Sequence, residues 1–152
     1  MFSRKIKILI IAPLLFAAMY PFESTVVPVW KVKVIDLTGA SCKEMPIFET
    51  WAHYSLFPSG NFRFADGITD REGVVEFPER RVRAIGIQRL IMPFVAEVLI
   101  VAHGSTGVSA SVHASGLKDV AWLSYNGTEP LPDTARVEKC IVEADLHPKE
   151  ER

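Results

Sequence analysis

Short extended runs separated by turn-forming residues follow one another along most of this chain and limit the folds open to it. Trp30, Val32 and Val34 alternate with lysines, which is the period of a strand with one buried face. Asp36 and Gly39 then supply the residue types of a turn. Because helical spacing is scarce in the body of the chain, this pattern predicts an all-β domain.

The other runs are of similar length and are bounded by glycine, proline, asparagine or aspartate. They cover residues 47–56, 62–68, 75–77, 81–87, 94–102, 108–114, 120–124 and 135–143. About seven short strands at this spacing are typical of an antiparallel Greek-key β-sandwich, which is the fold that we expect. Residues 94–102 could instead form a helix, but their short length and their valine and isoleucine content favour a buried strand paired with 108–114.

The clearest turn signal is the stretch from Asp70 to Gly73. Aspartate stands at its first position and glycine where a positive φ is wanted, so a tight hairpin is expected. Val75 and Phe77 can then face the core. Pro78 cannot donate a backbone hydrogen bond and should end the strand.

The first 22 residues differ from the rest. Arg4, Lys5 and Lys7 precede an uncharged apolar run over residues 8–20, which is the layout of a secretory signal peptide and predicts an N-terminal hydrophobic helix. The small residues near the end of this run are followed by bulky ones, which suits cleavage poorly. A cleaved signal peptide and a retained membrane anchor, a single transmembrane helix, therefore both stay open.

We accordingly divide the chain into a signal peptide or membrane anchor (1–22), a β-sandwich domain (25–146) and a charged tail (147–152). Export would place the domain in the periplasm or cell envelope, either free or tethered to the membrane through residues 1–22.

The chain has two cysteines, Cys42 and Cys140, and both lie outside the apolar segment. In an oxidising compartment they are the only pair available, so a disulfide is expected. Two separate buried thiols are the alternative. A metal site is not expected, because no second ligand stands at metal-binding spacing from either cysteine.

The charge balance argues against nucleic acid as a partner. With 17 basic and 18 acidic residues the net charge is −1, whereas nucleic-acid binding needs a clustered basic excess.

No motif in the sequence indicates catalysis or a cofactor. In the expected hairpin, His103 and His113 lie about 16 Å apart and cannot share a metal. No serine stands in the context of a known nucleophile motif. The prediction is a protein without catalytic residues, cofactor or metal.

Aromatic residues are the candidates for binding. Trp122 and Tyr125 precede Asn126 in an expected loop and are predicted to contact a protein or glycan partner. Trp51 and Tyr54 are weaker candidates, and core packing is favoured for Trp51.

Two stretches resemble a known family. Residues 32–37 followed by Gly39, residues 45–47 and an aromatic strand around Trp51 resemble the opening of carboxypeptidase regulatory-like domains, which are similar in fold to transthyretin. Residues 69–78 resemble the turn and strand of the same group. The resemblance covers residues 30 to about 90. It implies a seven-stranded Greek-key sandwich that serves as a folding, adhesion or carbohydrate-contact module.

The sequence also departs from that family. Residues 40–44, which contain Cys42, form an insertion, so the disulfide would be particular to this chain. The C-terminal tetrapeptide of the transthyretin-like ring hydrolases is missing, so the resemblance does not support that activity. We expect an exported, non-enzymatic β-sandwich with a binding or structural role at the cell envelope. The alternative is a dedicated partner or inhibitor module that pairs with another exported protein.

Overall fold

A computed structural model of the chain describes residues 4–57, 62–103, 107–116 and 118–140. Over these ranges the chain is mostly β, with nine strands in three hydrogen-bonded sheets and two helices, which confirms the expected predominance of strands. The elements are α1 (Arg4–Met19), β1 (Pro21–Val27), β2 (Trp30–Asp36), β3 (Pro46–His53), β4 (Arg63–Ile68), β5 (Val74–Phe77), β6 (Arg80–Ile85), α2 (Gly86–His103), β7 (Val108–Ser115), β8 (Val120–Tyr125) and β9 (Thr134–Val137).

The predicted N-terminal hydrophobic helix is present as α1, with Pro13 inside it. It is followed at once by β1, a strand that the sequence did not predict because its first three residues are exposed and do not alternate with buried ones. None of the helices in the described ranges has both the length and the apolar character needed to cross a membrane.

β1 and β2 pair antiparallel with β6 and β5, and the register is the same on both sides of the junction between the two pairs, although it shifts by one residue between Thr25 and Val27. Trp30 faces Phe77 and Val27 faces Arg80, so the same number of residues separates the two pairs on each arm. The ladder is interrupted between them because a proline, which has no N–H to donate, follows both Val27 and Phe77. We call residues 21–36 and 74–85 the ribbon. The prediction that β5 ends before proline is confirmed.

A four-stranded antiparallel sheet of order β4-β3-β7-β8 packs against the ribbon, and β9 joins the free side of β2 in parallel. Their inward side chains form one core, to which the ribbon contributes Trp30 and Val32 and the sheet contributes Ile47 and Val112. Trp30 is fully buried, and its indole N–H donates to the carbonyl of Pro132 over 2.7 Å. That hydrogen bond satisfies the one polar atom of the ring.

The strand predicted over residues 94–102 is wrong, because this stretch belongs to α2 and β7 pairs instead with β3 and β8. Ile87, Leu90 and Phe94 stand at the three- and four-residue spacing of one helix face. The stretch that follows Pro93, taken alone, does not include this spacing. It is a continuous apolar run, and periodicity cannot assign such a run to a helix or to a strand.

The predicted turn at Asp70 is present, but it does not make a hairpin. The carboxylate of Asp70 accepts hydrogen bonds from the N–H groups of Glu72 and Val74, and Gly73 has a φ of 76°. However, β4 pairs with β3 and β5 pairs with β2, so the turn carries the chain from one sheet to the other. The predicted inward orientation of Phe77 is confirmed.

The structure joins Cys42 and Cys140 in a disulfide, as predicted, with Cα atoms 5.3 Å apart. Cys42 is buried, and its carbonyl accepts a hydrogen bond from the hydroxyl of Thr69 over 2.6 Å. Cys140 lies beyond β9, which ends at Val137, so the prediction that this cysteine stands within a strand is wrong. Residues 141–143 of that predicted strand lie outside the described residues.

Removing the disulfide should destabilise the domain. The cysteines are separated by 98 positions in the sequence, and a closed loop of this length corresponds to about 4–5 kcal/mol of unfolding free energy if unfolded-chain entropy is the main effect. We expect the Cys42→Ser, Cys140→Ser double variant to unfold at lower denaturant concentration, monitored by tryptophan fluorescence. Reductant should shift the wild type towards the variant and leave the variant unchanged. A wild type that is insensitive to reductant would contradict this role.

Glu49 is a fully buried carboxylate in the core between the sheets. Its Oε2 accepts hydrogen bonds from Nε and Nη2 of Arg80 over 2.9 and 2.6 Å, and the guanidinium lies 4.3 Å from the ring centre of Trp51. Burial raises the pKa of Glu49, and the bonds from Arg80 oppose that rise. The ion pair therefore compensates a charge that the core would otherwise exclude.

Breaking this pair on one side should cost more than replacing both partners. Glu49→Ala leaves the Arg80 charge partly buried without a carboxylate, so we expect a loss of about 3 kcal/mol in unfolding free energy. Glu49→Met combined with Arg80→Met should be nearly neutral, because both charges are replaced by apolar groups of similar size. Chemical denaturation of the three proteins measures the difference. If the double variant lost as much stability as Glu49→Ala, the unpaired charge of Arg80 would not be the cause of the destabilisation, and the prediction would be wrong.

Candidate functional site: the outer face of the four-stranded sheet

Alternate side chains of the four-stranded sheet point away from the core and form one flat surface. In β3, Ile47, Glu49 and Trp51 are buried, so the residues between them lie on the opposite side. The cross-strand partners of these residues on the neighbouring strands point to the same side of the sheet. We call the surface the outer face, and it consists of Pro46, Phe48 and Thr50 of β3, Phe64, Asp66 and Ile68 of β4, Ser109, Ser111, His113 and Ser115 of β7, and Val120, Trp122 and Ser124 of β8.

The outer face exposes large apolar side chains. Phe64 is 72% exposed, Ile68 69%, Trp122 63%, Val120 50% and Phe48 42%. The polar residues among them are mostly serine and threonine, and Asp66 is the one charged member of the outer face. The solvent side of an antiparallel sheet usually carries polar and charged residues. An apolar surface with so little charge is therefore typical of a contact site.

His113 and Trp122 stand side by side at the β8 end of one row across the sheet. Asp66, Phe48, His113 and Trp122 are successive cross-strand partners on β4, β3, β7 and β8. The imidazole and indole ring centres are 3.8 Å apart with planes inclined by 30°. Contact between cross-strand aromatic rings restricts their rotamers. The indole is thus presented to solvent in a fixed orientation.

A chain of hydroxyl groups leads to the imidazole. Thr50 Oγ1 and Ser111 Oγ are 2.8 Å apart, and Ser111 Oγ is 2.8 Å from His113 Nε2. Burial lowers the pKa of His113, so the neutral ring is favoured. A serine and a histidine in contact are two parts of a nucleophilic triad. Within the described residues no carboxylate, which is the third part of such a triad, is hydrogen-bonded to the other imidazole nitrogen.

Trp122 was predicted as a binding residue and lies on the outer face, although on β8 and not in a loop. Tyr125 was predicted with it and lies on the other side of the same strand, because the two residues are three positions apart and side chains alternate between the two sides. Its ring packs against the core, 6.3 Å from that of Trp30. The expectation that both residues share a loop surface is therefore wrong. Core packing of Trp51, favoured from the sequence, is confirmed.

Phe48, Phe64 and His113 were missed by the sequence reasoning. The signal was present, because each stands at an alternate position in a predicted strand. Which alternate set faces solvent depends on the core of the folded chain, and that information is not local.

His53 does not join the outer face. His53 is partly buried on β3, where burial lowers its pKa. His103 ends α2, so the hairpin geometry used to separate it from His113 does not exist, and His147 lies outside the described residues. In the described part of the chain no group of three histidine, cysteine, aspartate or glutamate residues is placed to hold a metal ion.

The two lowered histidine pKa values make stability depend on pH. The unfolded chain takes up protons near pH 6.5, whereas folded His53 and His113 take them up only at lower pH. Their contribution is therefore complete above pH 6.5 and is lost as the pH falls through that value. We expect the denaturant concentration at the unfolding midpoint to decrease when the pH is lowered from about 7.5 to about 5.5. The decrease should be smaller in a His53→Gln, His113→Gln variant. Equal slopes for the two proteins would show that these histidines do not titrate as stated.

No protein-family model, no curated protein and no solved structure matches this chain.

Proposed function

We propose that the chain is an exported, non-enzymatic β-sandwich domain with a binding role at the cell envelope, and that the outer face is its contact surface. The observation that carries the proposal is Trp122, an indole that is mostly exposed and yet held by the ring of His113. Exposed tryptophan in a fixed orientation is typical of residues that dominate binding energy.

Two features support export. The basic start followed by an apolar helix suits a secretory or membrane-targeting segment. The Cys42–Cys140 disulfide suits an oxidising compartment such as the periplasm, because cytosolic thiols are kept reduced.

The kinship with carboxypeptidase regulatory-like domains and their seven-stranded Greek-key sandwich is part of this proposal. It is supported by the turn at Gly73 and by the inward side chain of Phe77, both of which belong to the stretch 69–78 that resembles the family. In this chain the three-stranded sheet β5-β2-β9 and the four-stranded sheet would form the two layers of the sandwich, and β1, β6 and α2 would be additions to it.

A glycan is the ligand that suits the outer face best. The apolar C–H face of a sugar ring can stack on Trp122 or Phe64, and the hydroxyls of Thr50 and Ser111 can hydrogen-bond to its rim. Small hydroxyl side chains leave room for a flat ligand. The near absence of charge on this face argues for a ligand without a strong charge of its own.

Binding to an array of envelope glycans tests the proposal. Trp122→Ala and Phe64→Ala should each weaken binding by about tenfold or more, equivalent to about 1.4 kcal/mol, because each removes a stacking surface. Leu37→Ala is the matched control, since Leu37 is an exposed apolar residue in the turn after β2. The proposal fails if both aromatic variants bind glycans like the wild type.

The alternative function, a partner or inhibitor module, has one observation in its favour. β8 is an edge strand, and the sequence Val120–Tyr125 contains neither a charge nor a proline to block pairing with another chain. A protein partner that adds a strand would bind mainly through the backbone of β8. Its affinity should therefore survive Trp122→Ala, which separates this function from the first.

A further inference from the structure

α2 turns its apolar side outward. The residues Ile87, Leu90, Ile91, Phe94 and Val98 are all exposed and follow one another at helical spacing, and we call them the α2 stripe. Of the polar side chains of the same helix, Gln88 and Arg89 contact the protein instead, whereas Glu97 is exposed beside the stripe. Gln88 donates to the carbonyl of Leu56 over 3.0 Å, and Arg89 donates to the carbonyls of Ala84 and Phe22. A surface helix normally has the opposite orientation.

Residues 9–19 of α1 are apolar on every side. Its exposed residues include the consecutive sets Leu9, Ile10, Ile11 and Leu14, Leu15, Phe16. Consecutive residues point about 100° apart around a helix, so these side chains leave no polar face. A helix of this kind is stable only where apolar material surrounds it.

The two helices meet at the end of the ribbon. The N–H of Gly86 donates to the carbonyl of Tyr20, and a Cβ at Gly86 would clash with the carbonyl oxygen of Ala17. Ile87 and Leu90 of the stripe line one shallow depression together with Ala17 and Ala18. The apolar surfaces of α1 and α2 are therefore continuous.

Side chains become more polar along the ribbon with increasing distance from the two helices. Tyr20 and Phe22 come first, with ring centres 5.0 Å apart in an edge arrangement, and both are exposed. Next on the ribbon, Arg83 binds Glu23 over 2.6 Å and Arg81 binds Glu79 over 2.6 Å. Apolar residues, then aromatic rings, then charges is the order that a protein presents across a membrane interface.

We infer that α1 and the α2 stripe together contact the acyl chains of a lipid bilayer, so that α2 is a second membrane-contacting element and residues 1–20 remain on the working protein. A protein partner would cover one side of α1, whereas lipid covers all sides. Arg4, Lys5 and Lys7 at the start of the chain suit the phosphates of anionic lipids. For this inference the two helices need only be embedded in the lipid, and neither has to cross the bilayer.

Labelling inside a bilayer tests this directly. The full chain is reconstituted in vesicles of phosphatidylcholine with phosphatidylglycerol that contain an apolar, photoactivated carbene reagent, and labelled peptides are identified by mass spectrometry. We expect label on residues 9–19 and on residues 87–98. Label on α1 alone would overturn the inference. The same holds if the protein is a dimer and its α2 stripe is not labelled, because a second copy would then cover the stripe.

Flotation with the same vesicles gives an independent measurement. Leu90→Glu combined with Phe94→Glu should lower the vesicle-bound fraction about fivefold or more, because a charge in the acyl region is costly. Leu37→Glu, which adds a charge far from the helices in sequence, should float like the wild type, and circular dichroism checks that each variant is folded. Unchanged flotation of the double variant would contradict lipid contact by α2.

The mass of the protein purified from the envelope tests the retained segment. The inference expects the full chain, and a mass that lacks the first 20 or so residues would overturn it. This inference is independent of the proposed glycan site. Trp122→Ala should lose glycan binding and still float, so failure of one proposal does not affect the other.

Discussion

The ribbon is the element on which the rest of this structure depends. Its arms pair in a register that continues through a proline break on each strand, and one face of it supplies Trp30 and Phe77 to the core. Its length also sets the position of the helices. α1 enters β1 and α2 leaves β6, so pairing of Pro21 with Ile85 brings the two helices together.

The same ribbon explains the location of the buried ion pair. Arg80 begins β6 just after the proline break and can reach across the core to Glu49 on β3. The pair connects the two layers where Trp51 also packs on the guanidinium. Burial of a charge at this point is tolerated because Arg80 pairs with it through two hydrogen bonds. On the other side of β3, the outer face contains no comparable charge pair and keeps its aromatic side chains in solvent.

Sequence reasoning succeeded where the signal is local. The alternation around Val32, the positive φ of Gly73 and the inward position of Phe77 depend on a few neighbouring residues, and each is found as expected. It failed for α2, where the stripe is split by Pro93 and a continuous apolar run suits strand and helix equally. It also placed Tyr125 on the surface, because a tyrosine beside an asparagine and a glycine has the residue types of a loop.

The sequence by itself determined the apolar N-terminal helix, the period of the strands and the only cysteine pair that could form, because these follow from composition and spacing. Only the tertiary structure decided which strands pair, that the turn at Asp70 joins two sheets, and that His113 lies against Trp122. Those features depend on contacts between residues distant in sequence. The free energy of such contacts comes from burial shared by several elements, which no short stretch of sequence encodes.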